Sequence, residues 1–389
     1  MIERMTMTDH IDTYKDELIA MRKDFHKHPE LAFNEVRTSG IVAEKLQSWG
    51  IETHTGLAKT GVVGVLKAGN SDRKVGLRAD MDALPIEEAN TFKHKSINEG
   101  VMHACGHDGH TTMLLGAARY LAETKKFDGT VYLIFQPAEE NYGGGKVMID
   151  EGLFEKFPAD TIFGMHNWPG MDLGKFGMRV GTAMAAYDRF DITITGVGAH
   201  AAKPDGGIDP IVVGSNVVSA LQSIVSRNVP PLESAVISVT QFYAGTTYNI
   251  IPETAVISGC TRSLNKEVQA QIESTMDRII DGVCKAYGAT YTLDYQHGYP
   301  TTVNTAQEVA VAHAVTSELV GEKNVNPDLE PTMGSEDFGF MLEEKPGAYI
   351  VIGNGDSAGV HNPNYEFNDD ALTLGAKYWA RLAETQLKV

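Results

Sequence analysis

The chain has 389 residues, of which 42% are hydrophobic and 22% charged, and its formal net charge is −18. These values are typical of a folded soluble protein with room for two domains. The negative charge argues against nucleic acid or an anionic membrane surface as the main partner. We see neither an apolar signal segment nor a run of about 18 apolar residues, so we expect no membrane span. Three cysteines are too few for a disulfide framework, and we expect a cytoplasmic protein.

The first elements along the chain are helices and then strands. Apolar residues at helical spacing predict helices over residues 9–28 and 38–49, and a strand is predicted over residues 75–79. That strand leads directly into Asp80 and Asp82, whose side chains share one side of an extended segment. Open α/β sheets keep their sites where strands end, so both aspartates are candidate site residues.

The densest chemical signal is the segment His-Ala-Cys-Gly-His-Asp-Gly-His over residues 103–110, in a turn before a helix predicted over residues 111–123. Cys105 and His107, two positions apart, can offer a thiolate and an imidazole to one point. That combination suits a borderline-soft divalent ion. A polar, flexible loop explains any one of these histidines alone, but the density of the cluster favours metal or thiol chemistry. A metal needs more ligands than this loop supplies.

Two later apolar runs also lead to ligand-type residues. Residues 131–135 have the continuous apolar pattern of a strand buried on both faces, and Glu139 and Glu140 follow it. Neighbouring side chains point in different directions, so one carboxylate can bind metal while the other moves protons. A solvated surface pair is the alternative for these two acids. Residues 161–165 form another apolar run, and His166 after it is a further candidate ligand.

From about residue 188 the hydrophobic pattern alternates, which indicates a sheet with one wet face. The predicted order of strand, helix, strand, strand, helix, strand is the ferredoxin-like split unit. We therefore predict an inserted βαββαβ domain over residues 187–297. His200 lies there among glycines, and an incidental histidine in a tight turn explains it equally well. Asn249 and Arg262 are its other polar signals, although an arginine in this position is more often a surface residue.

After the insert the α/β pattern resumes. A buried strand is predicted over residues 348–353, and a glycine-rich turn leads from it to His361, the fourth histidine that follows a strand. Helices are predicted on either side, over residues 308–320 and 371–387. The predicted fold is thus α/β, with a central mixed sheet and flanking helices in the catalytic domain. The predicted domains are residues 1–186 together with 298–389, and the insert at residues 187–297.

Seven short motifs stand in a fixed order along the chain. They are Arg78–Pro85, His103–His110, Gln136–Glu140, His166–Pro169, Gly198–Pro204, Gly334–Phe338 and Gly359–Phe367. Together they resemble the N-acyl-amino-acid amidohydrolases, which include hippurate hydrolases, plant auxin-conjugate hydrolases and N-acetyldiaminopimelate deacetylases. These enzymes form one branch of the aminoacylase/carboxypeptidase metallopeptidase family. The resemblance covers nearly the whole chain, and seven motifs in order are far more specific than any one of them.

The resemblance implies a two-metal hydrolase that splits N-acyl amino acids into a carboxylic acid and a free amino acid. It implies two divalent ions per subunit, either zinc or manganese, cobalt or nickel, with Glu139 as general base. The implied metal ligands are Cys105, His107, Glu140, His166 and His361. Most of the wider family has a bridging Asp in place of the Cys/His loop, and a His-x-Asp in place of Asp80-Met81-Asp82. We therefore expect Asp80, Asp82 and Asp108 to support the ligands rather than to bind metal.

The resemblance also implies a role for the inserted domain, as a lid or dimerisation domain in a homodimer or a dimer-based oligomer. His200 would then reach the active site of the partner subunit and stabilise the oxyanion. Asn249 and Arg262 would recognise the amide and the carboxylate of the substrate.

Other functions stay open from the residues alone. An N-acetyldiaminopimelate deacetylase, a dipeptidase or a carboxypeptidase of the same family would use the same ligands. A metal-independent hydrolase with Cys105 as nucleophile and His107 or His110 as base would leave the carboxylates and the distant histidines without a role. A non-catalytic metal-binding or peptide-binding module would have lost catalysis while keeping the whole ligand set. We expect amide hydrolysis.

Overall fold

The computed structural model describes residues 6–389, and in it the chain divides into two compact units. The first unit runs to Ala183 and resumes over Val303–Glu330 and Asp337–Val389. The second comprises Met184–Thr302 and Pro331–Glu336. The short second piece joins this unit because the amide of Ala185 donates to the carbonyl groups of Thr332 and Gly334, at 3.1 and 2.9 Å. The boundaries therefore differ in detail from the predicted ones.

The α-helices of the described chain are α1 (Met7–Asp12), α2 (Lys15–Lys27), α3 (Val36–Ser48), α4 (His107–Thr124), α5 (Glu139–Tyr142), α6 (Gly144–Asp150), α7 (Leu153–Lys156), α8 (Pro210–Ser223), α9 (Lys266–Tyr287), α10 (Ala306–Val320), α11 (Phe338–Glu344) and α12 (Ala371–Gln386). The prediction of a single helix over residues 9–28 is wrong, because the helix is interrupted at Thr13 and two helices form. The amide and hydroxyl of Thr13 both donate to the carbonyl of His10, which ends α1. Among residues 6–389, no helix is long and apolar enough to cross a membrane.

The strands of the described chain are β1 (Glu52–Leu57), β2 (Gly61–Ala68), β3 (Lys74–Asp80), β4 (Gly129–Gln136), β5 (Thr161–Trp168), β6 (Phe176–Gly177), β7 (Gly181–Met184), β8 (Ala186–Thr195), β9 (Ala199–His200), β10 (Ala235–Ala244), β11 (Ile250–Ile251), β12 (Thr254–Ser263), β13 (Thr290–His297), β14 (Thr302–Asn304), β15 (Val325–Asn326) and β16 (Gly347–Gly353). The apolar run at 131–135 lies within β4, as predicted. His166 lies inside β5, so the prediction that it follows the strand was wrong.

The first unit is built on an eight-stranded mixed sheet in the order β1-β2-β4-β3-β5-β16-β6-β15. The four strands β4, β3, β5 and β16 are mutually parallel, and β2 is antiparallel to β4. Every residue of β4 and of β16 is buried, and α2, α4 and α12 share one apolar core with the strands. The predicted central mixed sheet with flanking helices is confirmed. Because the four parallel strands point the same way, their carboxyl ends lie together at the same end of the sheet.

The second unit is built on a four-stranded antiparallel sheet in the order β10-β12-β8-β13. Burial alternates along β8, and the buried residues pack with α8 and α9 in a separate core. The element order β8-α8-β10-β12-α9-β13 is the predicted ferredoxin-like βαββαβ arrangement.

Candidate metal centre

The five ligand-type residues named from the sequence all belong to the first unit, and the parallel strands explain why they meet. Cys105 and His107 lie at the start of α4, which follows β3, and Glu140 lies in α5, which follows β4. His166 is in β5, and His361 is in the segment after β16. The chain thus returns four times to the same end of the sheet, each time with a side chain of a type that can bind metal. Helix α4 begins at His107 and not near residue 111, so the expected turn is shorter than the sequence indicated.

Cys105, His107 and His166 form one buried group, whose ligand atoms lie within 4.8 Å of one another. The sulfur of Cys105 is 3.3 Å from Nε2 of His166. Nδ1 of His166 donates to the carbonyl of Asn167 at 2.6 Å. Since a carbonyl oxygen only accepts, the proton of this imidazole is on Nδ1. Nε2 therefore presents its lone pair towards the sulfur.

His107 is oriented in the same way by a different partner. Its Nδ1 lies 2.9 Å from the backbone carbonyl of Asp82 and 3.2 Å from the carboxylate of the same residue. Nε2 of His107 is buried and has no hydrogen-bond partner among the described residues. The nearest carboxylate oxygen, Oδ2 of Asp80, is 3.7 Å from it. An imidazole that donates from one nitrogen to a carboxylate and leaves the other nitrogen without a hydrogen bond has the arrangement of a metal ligand. Asp82 thus supports His107.

Glu140 and His361 bring a second set of donor atoms to Cys105. The ligand atoms of these three residues also lie within 4.8 Å of one another. Oε1 of Glu140 is buried and lacks a hydrogen-bond partner among residues 6–389, although Nε2 of His361 is 3.2 Å away. His361 is exposed and has a positive φ of 63°. Its amide donates to the carbonyl of Ala104 at 2.7 Å, which ties it to the segment that carries Cys105.

Glu139 opens α5 next to Glu140. Its Oε1 lies 3.4 Å from the amide of Asp337. The ligand atoms of Glu139, His107 and Glu140 form a third group within 4.8 Å of one another. The preceding residue, Ala138, has a φ of 57°, in the left-handed region that costs an alanine roughly 1–2 kcal/mol. The turn that presents the two carboxylates is therefore held by its surroundings.

A buried charge network lies beneath this turn, and the sequence did not reveal it. The guanidinium of Arg78 donates to Asp80, to Gln136 and to Asp337, at 2.7, 2.8 and 2.9 Å. Asp337 also accepts from the amide of Gly145 at 2.8 Å. Arg78 and Asp337 both lie in motifs quoted from the sequence, but only their contact in the folded chain identifies a role for them. The network fixes the end of β4 from which the two glutamates follow.

Asp80 could itself belong to a donor group, with His107 and His110. Its carboxylate is already paired, however, with Arg78 at 2.7 Å and with Nδ1 of His110 at 2.6 Å. Nε2 of His110 accepts from the amide of Asn167 at 3.0 Å, so both ring nitrogens of His110 are engaged. These contacts favour a supporting role for Asp80 over direct metal binding.

The electrostatics of the centre fit a cation. Burial raises the pKa of the Cys105 thiol well above its usual value, and the Glu140 and Glu139 carboxylates add to the shift. Burial alone lowers the pKa of His107, but the Asp80 and Asp82 carboxylates outweigh it and raise it to about 10. Both shifts report a buried site rich in negative charge. Thiolate, imidazole and carboxylate donors, two of whose ligand atoms are buried without a hydrogen-bond partner among the described residues, fit a divalent ion of borderline softness.

Among the described residues, Asp108 belongs to none of these donor groups. Its carboxylate lies 2.9 Å from Nδ1 of His26, and Nε2 of His26 lies 3.1 Å from Glu88. Burial lowers the pKa of His26, but Asp108 and Glu88 outweigh it and raise it to about 9. The sequence indicated only that His26 lies near the end of the helix predicted over residues 9–28. Its two partners are 82 and 62 residues away, which is why local pattern did not identify the network. His103 is buried beside it, and burial lowers its pKa to about 4.

His200, Asn249 and Arg262 lie in the second unit. His200 is exposed in β9, which pairs with β11, and the carbonyl of Asn249 accepts from the amide of Ala201 at 3.0 Å. His200 and Asn249 are thus neighbours on one short ribbon. The guanidinium of Arg262 stacks over Tyr187 at 4.3 Å and donates to the hydroxyl of Ser335. Arg262 is therefore engaged within its own unit.

Residues 76–385 match the family described as Peptidase family M20/M25/M40. The chain belongs to this family. Within it, a hippurate hydrolase of Campylobacter jejuni is 46% identical over 384 residues, which cover 99% of this chain and 100% of that protein. A thermostable carboxypeptidase of Saccharolobus solfataricus is 38% identical over 379 residues, 95% of each chain. A dinuclear metal binding M20 peptidase of Bacillus subtilis has a crystal structure that matches with a TM-score of 0.86 at 34% identity, over 97% of this chain and 99% of that one.

Membership of the M20 family confirms the resemblance drawn from the seven motifs, and with it the class of enzyme, a hydrolase of amide or peptide bonds. The match to the M20 peptidase structure extends over both units, which also confirms the predicted fold class.

Proposed function

We propose that this chain is a metal-dependent amidohydrolase that cleaves N-acyl amino acids, hippurate-like or N-acetyl conjugates among them, into a carboxylic acid and a free amino acid. The observation that carries the proposal is the convergence of buried Cys105, His107 and His166 with Glu140 and His361, beside Glu139. The family relationship to a hippurate hydrolase supports the choice of substrate class.

We infer that the site takes two divalent ions per subunit, zinc or else manganese, cobalt or nickel. Cys105 supports this number, because its sulfur belongs both to the group with His107 and His166 and to the group with Glu140 and His361. A single thiolate would then serve both ions. When bound, two such ions polarise a substrate carbonyl and lower the pKa of a water molecule.

Glu139 carries the proton chemistry in this proposal. Its carboxylate takes the proton of the attacking water and delivers it to the leaving amine nitrogen. The contact of Oε1 with the amide of Asp337 fixes the side chain while this happens. Asp82 acts through its neighbours, because it orients His107 and its Oδ2 also accepts from the amide of Glu140 at 2.9 Å.

Metal removal tests this function directly. The purified protein is dialysed against a chelator, its metal content is measured, and the release of free amino acid from hippurate and from N-acetyl amino acids is followed. We expect dialysis to abolish hydrolysis, and zinc, manganese, cobalt or nickel to restore it. Full activity in metal-free protein would favour Cys105 as a nucleophile instead. Failure on every N-acyl amino acid, with metal bound, would contradict the substrate class and favour the non-catalytic module.

A second candidate is a peptidase that removes a C-terminal residue or splits a dipeptide. The similarity to a thermostable carboxypeptidase favours it, because a peptide bond next to a free carboxylate is the same linkage as in an N-acyl amino acid. An N-acetyldiaminopimelate deacetylase is a third possibility within the family. Comparing kcat/KM for hippurate, N-acetyl amino acids, free dipeptides and N-acetyldiaminopimelate ranks the three.

We further propose that the second unit is a lid and dimerisation domain and that the chain works as a homodimer in the cytoplasm. The edge strand β10 exposes Phe242 and Tyr243, at 38% and 64%, which is consistent with a surface that a partner covers. In this arrangement His200 stabilises the oxyanion in the partner's site, while Asn249 and Arg262 bind the substrate.

Sedimentation equilibrium gives the mass of the protein in solution, and a monomer at working concentration would contradict the dimer. Cell fractionation tests the location, which the three unpaired cysteines favour.

A further inference from the structure

Glu35 is a fully buried carboxylate that the proposed chemistry does not use. It lies immediately before α3 in the first unit, and its side chain has 0% exposure. One oxygen, Oε1, accepts from the amide of Phe33 at 3.1 Å and from the amide of Ala138 at 2.9 Å. The other, Oε2, accepts from the hydroxyl of Thr60 at 2.6 Å. A buried acid with three such partners is built to hold something in place.

What it holds is the backbone next to the proposed general base. Ala138 directly precedes Glu139 and has a φ of 57°, which an alanine keeps only when its surroundings impose it. On the other side, the amide of Glu140 donates to Asp82 at 2.9 Å. The amides immediately before and after Glu139 are thus each held by a buried carboxylate. Of these two carboxylates, Asp82 also holds a ligand histidine, whereas the hydrogen bonds of Glu35 go to Phe33, Thr60 and Ala138.

We propose that Glu35 is a positioning residue for proton transfer, which fixes the strained turn at Ala138 and so aims the carboxylate of Glu139. The proposal rests on the function proposed above, in which Glu139 moves the proton. Efficient proton transfer needs the base within hydrogen-bond reach of its water, and misplacement by about 1 Å can cost 10²-fold in rate. Losing the contact should therefore lower kcat, while substrate affinity and metal binding remain.

The contact acts through hydrogen-bond geometry and not through charge. Burial raises the pKa of Glu35 to about 7, so its surroundings do not favour the ionised form. A glutamine is nearly isosteric and satisfies the same three partners. Its carbonyl oxygen accepts from both amides, and its NH₂ group donates to the hydroxyl of Thr60. Alanine satisfies none of them.

A neighbouring glutamate provides a matched control. Oε1 of Glu30 accepts from the amide of Arg37 at 2.9 Å, and Oε2 accepts from the amide of Thr38 at 2.8 Å. The carboxylate of Glu30 therefore holds backbone amides at the start of α3, in the same segment as Glu35, and its hydrogen bonds do not go to the turn at Ala138. A role in folding alone predicts similar behaviour for both residues.

The test compares Glu35→Ala, Glu35→Gln and Glu30→Ala in the full-length, metal-loaded protein. We expect Glu35→Ala to lower kcat at least about tenfold, with KM within about twofold and bound metal unchanged. Glu35→Gln keeps most of kcat, and Glu30→Ala lowers the melting temperature without this loss of kcat. Unchanged kcat in a folded Glu35→Ala protein would overturn the proposal. So would an equal loss in Glu35→Gln, because charge would then be the active property.

Two further variants keep the proposal testable if Glu35→Ala fails to fold. Thr60→Val removes only the hydroxyl that steadies Oε2, and it should lower kcat less than tenfold but measurably, again at constant KM. Ala138→Gly relieves the strained φ, because glycine adopts this conformation without support. Ala138→Gly should therefore restore both folding and part of kcat to Glu35→Ala, and no recovery would count against the proposal.

The wild-type protein separates the proposed function from the positioning role of Glu35. If it hydrolyses no amide, the proposed function fails, whereas an active wild type with a fully active Glu35→Ala variant rejects only the positioning role.

Discussion

The two sheets of this protein are buried in different ways. In the first unit, all eight residues of β4 and all seven of β16 are buried, and the central strands are parallel. In the second unit, burial alternates along β8, and β13 is largely exposed on one side. The first sheet is covered on both faces, and the second has helices on one face only.

This difference accounts for where each sheet carries its chemistry. A sheet covered on both faces offers access only at its edges and ends, and its parallel strands bring several chain segments to one end. That is where Cys105, His107 and His166 meet. A sheet with one open face instead has a surface to offer, and β10 exposes Phe242 and Tyr243 at its edge. Catalysis is thus expected to depend on the first unit and association on the second.

The largest expected effect is at the strand ends of the first unit. Glu139→Gln removes the proposed base while keeping its size, and we expect turnover to fall about 10³-fold or more because proton transfer to the leaving amine is lost. Bound metal should stay near the wild-type level, because Glu140, His107 and the other proposed ligands remain. Activity on hippurate and metal content by mass spectrometry check both statements. A fully active Glu139→Gln protein would refute the assignment of the base.

Mixing variants sharpens the contrast between the units. If His200 serves the partner's site, a hybrid of Glu139→Gln and His200→Asn subunits contains one site with both residues intact. Co-refolded or co-expressed mixtures should then regain activity that neither variant shows alone. Mixtures that stay inactive although hybrids form would show that His200 does not act across subunits.

The burial difference should also be visible in stability. Leu133 and Ile134 are adjacent in β4, point to opposite faces and are both fully buried, so replacing either by alanine should cost about 2–5 kcal/mol. In β8, by contrast, Ile192 is buried but the adjacent Thr193 is only partly buried. Ile192→Ala should cost a similar amount, but Thr193→Ala less than about 1 kcal/mol.

The tryptophans separate the two readouts, since Trp49, Trp168 and Trp379 all lie in the first unit. Urea unfolding followed by tryptophan fluorescence therefore measures the stability of the first unit, which contains β4. Hydrogen exchange of the β8 amides measures the stability of the second unit. A tolerated Leu133→Ala or Ile134→Ala would mean that one face of the first sheet is less tightly packed than its burial implies.

The same burial explains what the sequence could reveal. A strand covered on both faces must be apolar throughout, so β4 was readable as a continuous run, and the half-exposed strands were readable from their alternation. The start of α4 was not readable. Gly106 turns the chain there with a φ of 94°, and a Cβ atom would lie 2.3 Å from Asn167 and 2.5 Å from the hydroxyl of Tyr365. Those neighbours are distant in sequence, and only the folded chain shows the constraint.

The site divides in the same way. The types of the donor residues and their places near strand ends were visible in the sequence, and the family resemblance named them together. Their orientation was not visible, because it depends on contacts such as Asp82 with His107 and Glu35 with Ala138, 25 and 103 residues apart. The engagement of Arg262 with Tyr187 and Ser335 was equally hidden. Local pattern identifies donors, and tertiary contacts identify what aims them.

The smallest expected effect concerns how stability depends on pH, and it again separates the units. His26 lies in the first unit, where Asp108 and Glu88 contact its two nitrogens and Arg22 and His94 lie nearby. Burial lowers its pKa, but the two carboxylates outweigh this effect and raise the pKa from 6.5 to about 9. The folded state therefore binds this proton more tightly than the unfolded state. The resulting stability is fully present below about pH 6.5 and is lost as the pH rises through about 9, with an upper limit of about 3 kcal/mol.

We expect the metal-loaded protein to lose stability in the first unit between about pH 6.5 and 9, as measured by urea unfolding and tryptophan fluorescence. His26→Gln should be less stable at low pH and should lack most of this slope, because it cannot take up the proton. His54→Gln, at an exposed position of β1 in the same unit, is the matched control variant. Hydrogen exchange in β8 and β12 should show no contribution from His26, because that residue belongs to the other unit. An unchanged slope in His26→Gln would mean that the buried pair with Asp108 does not gain a proton on folding.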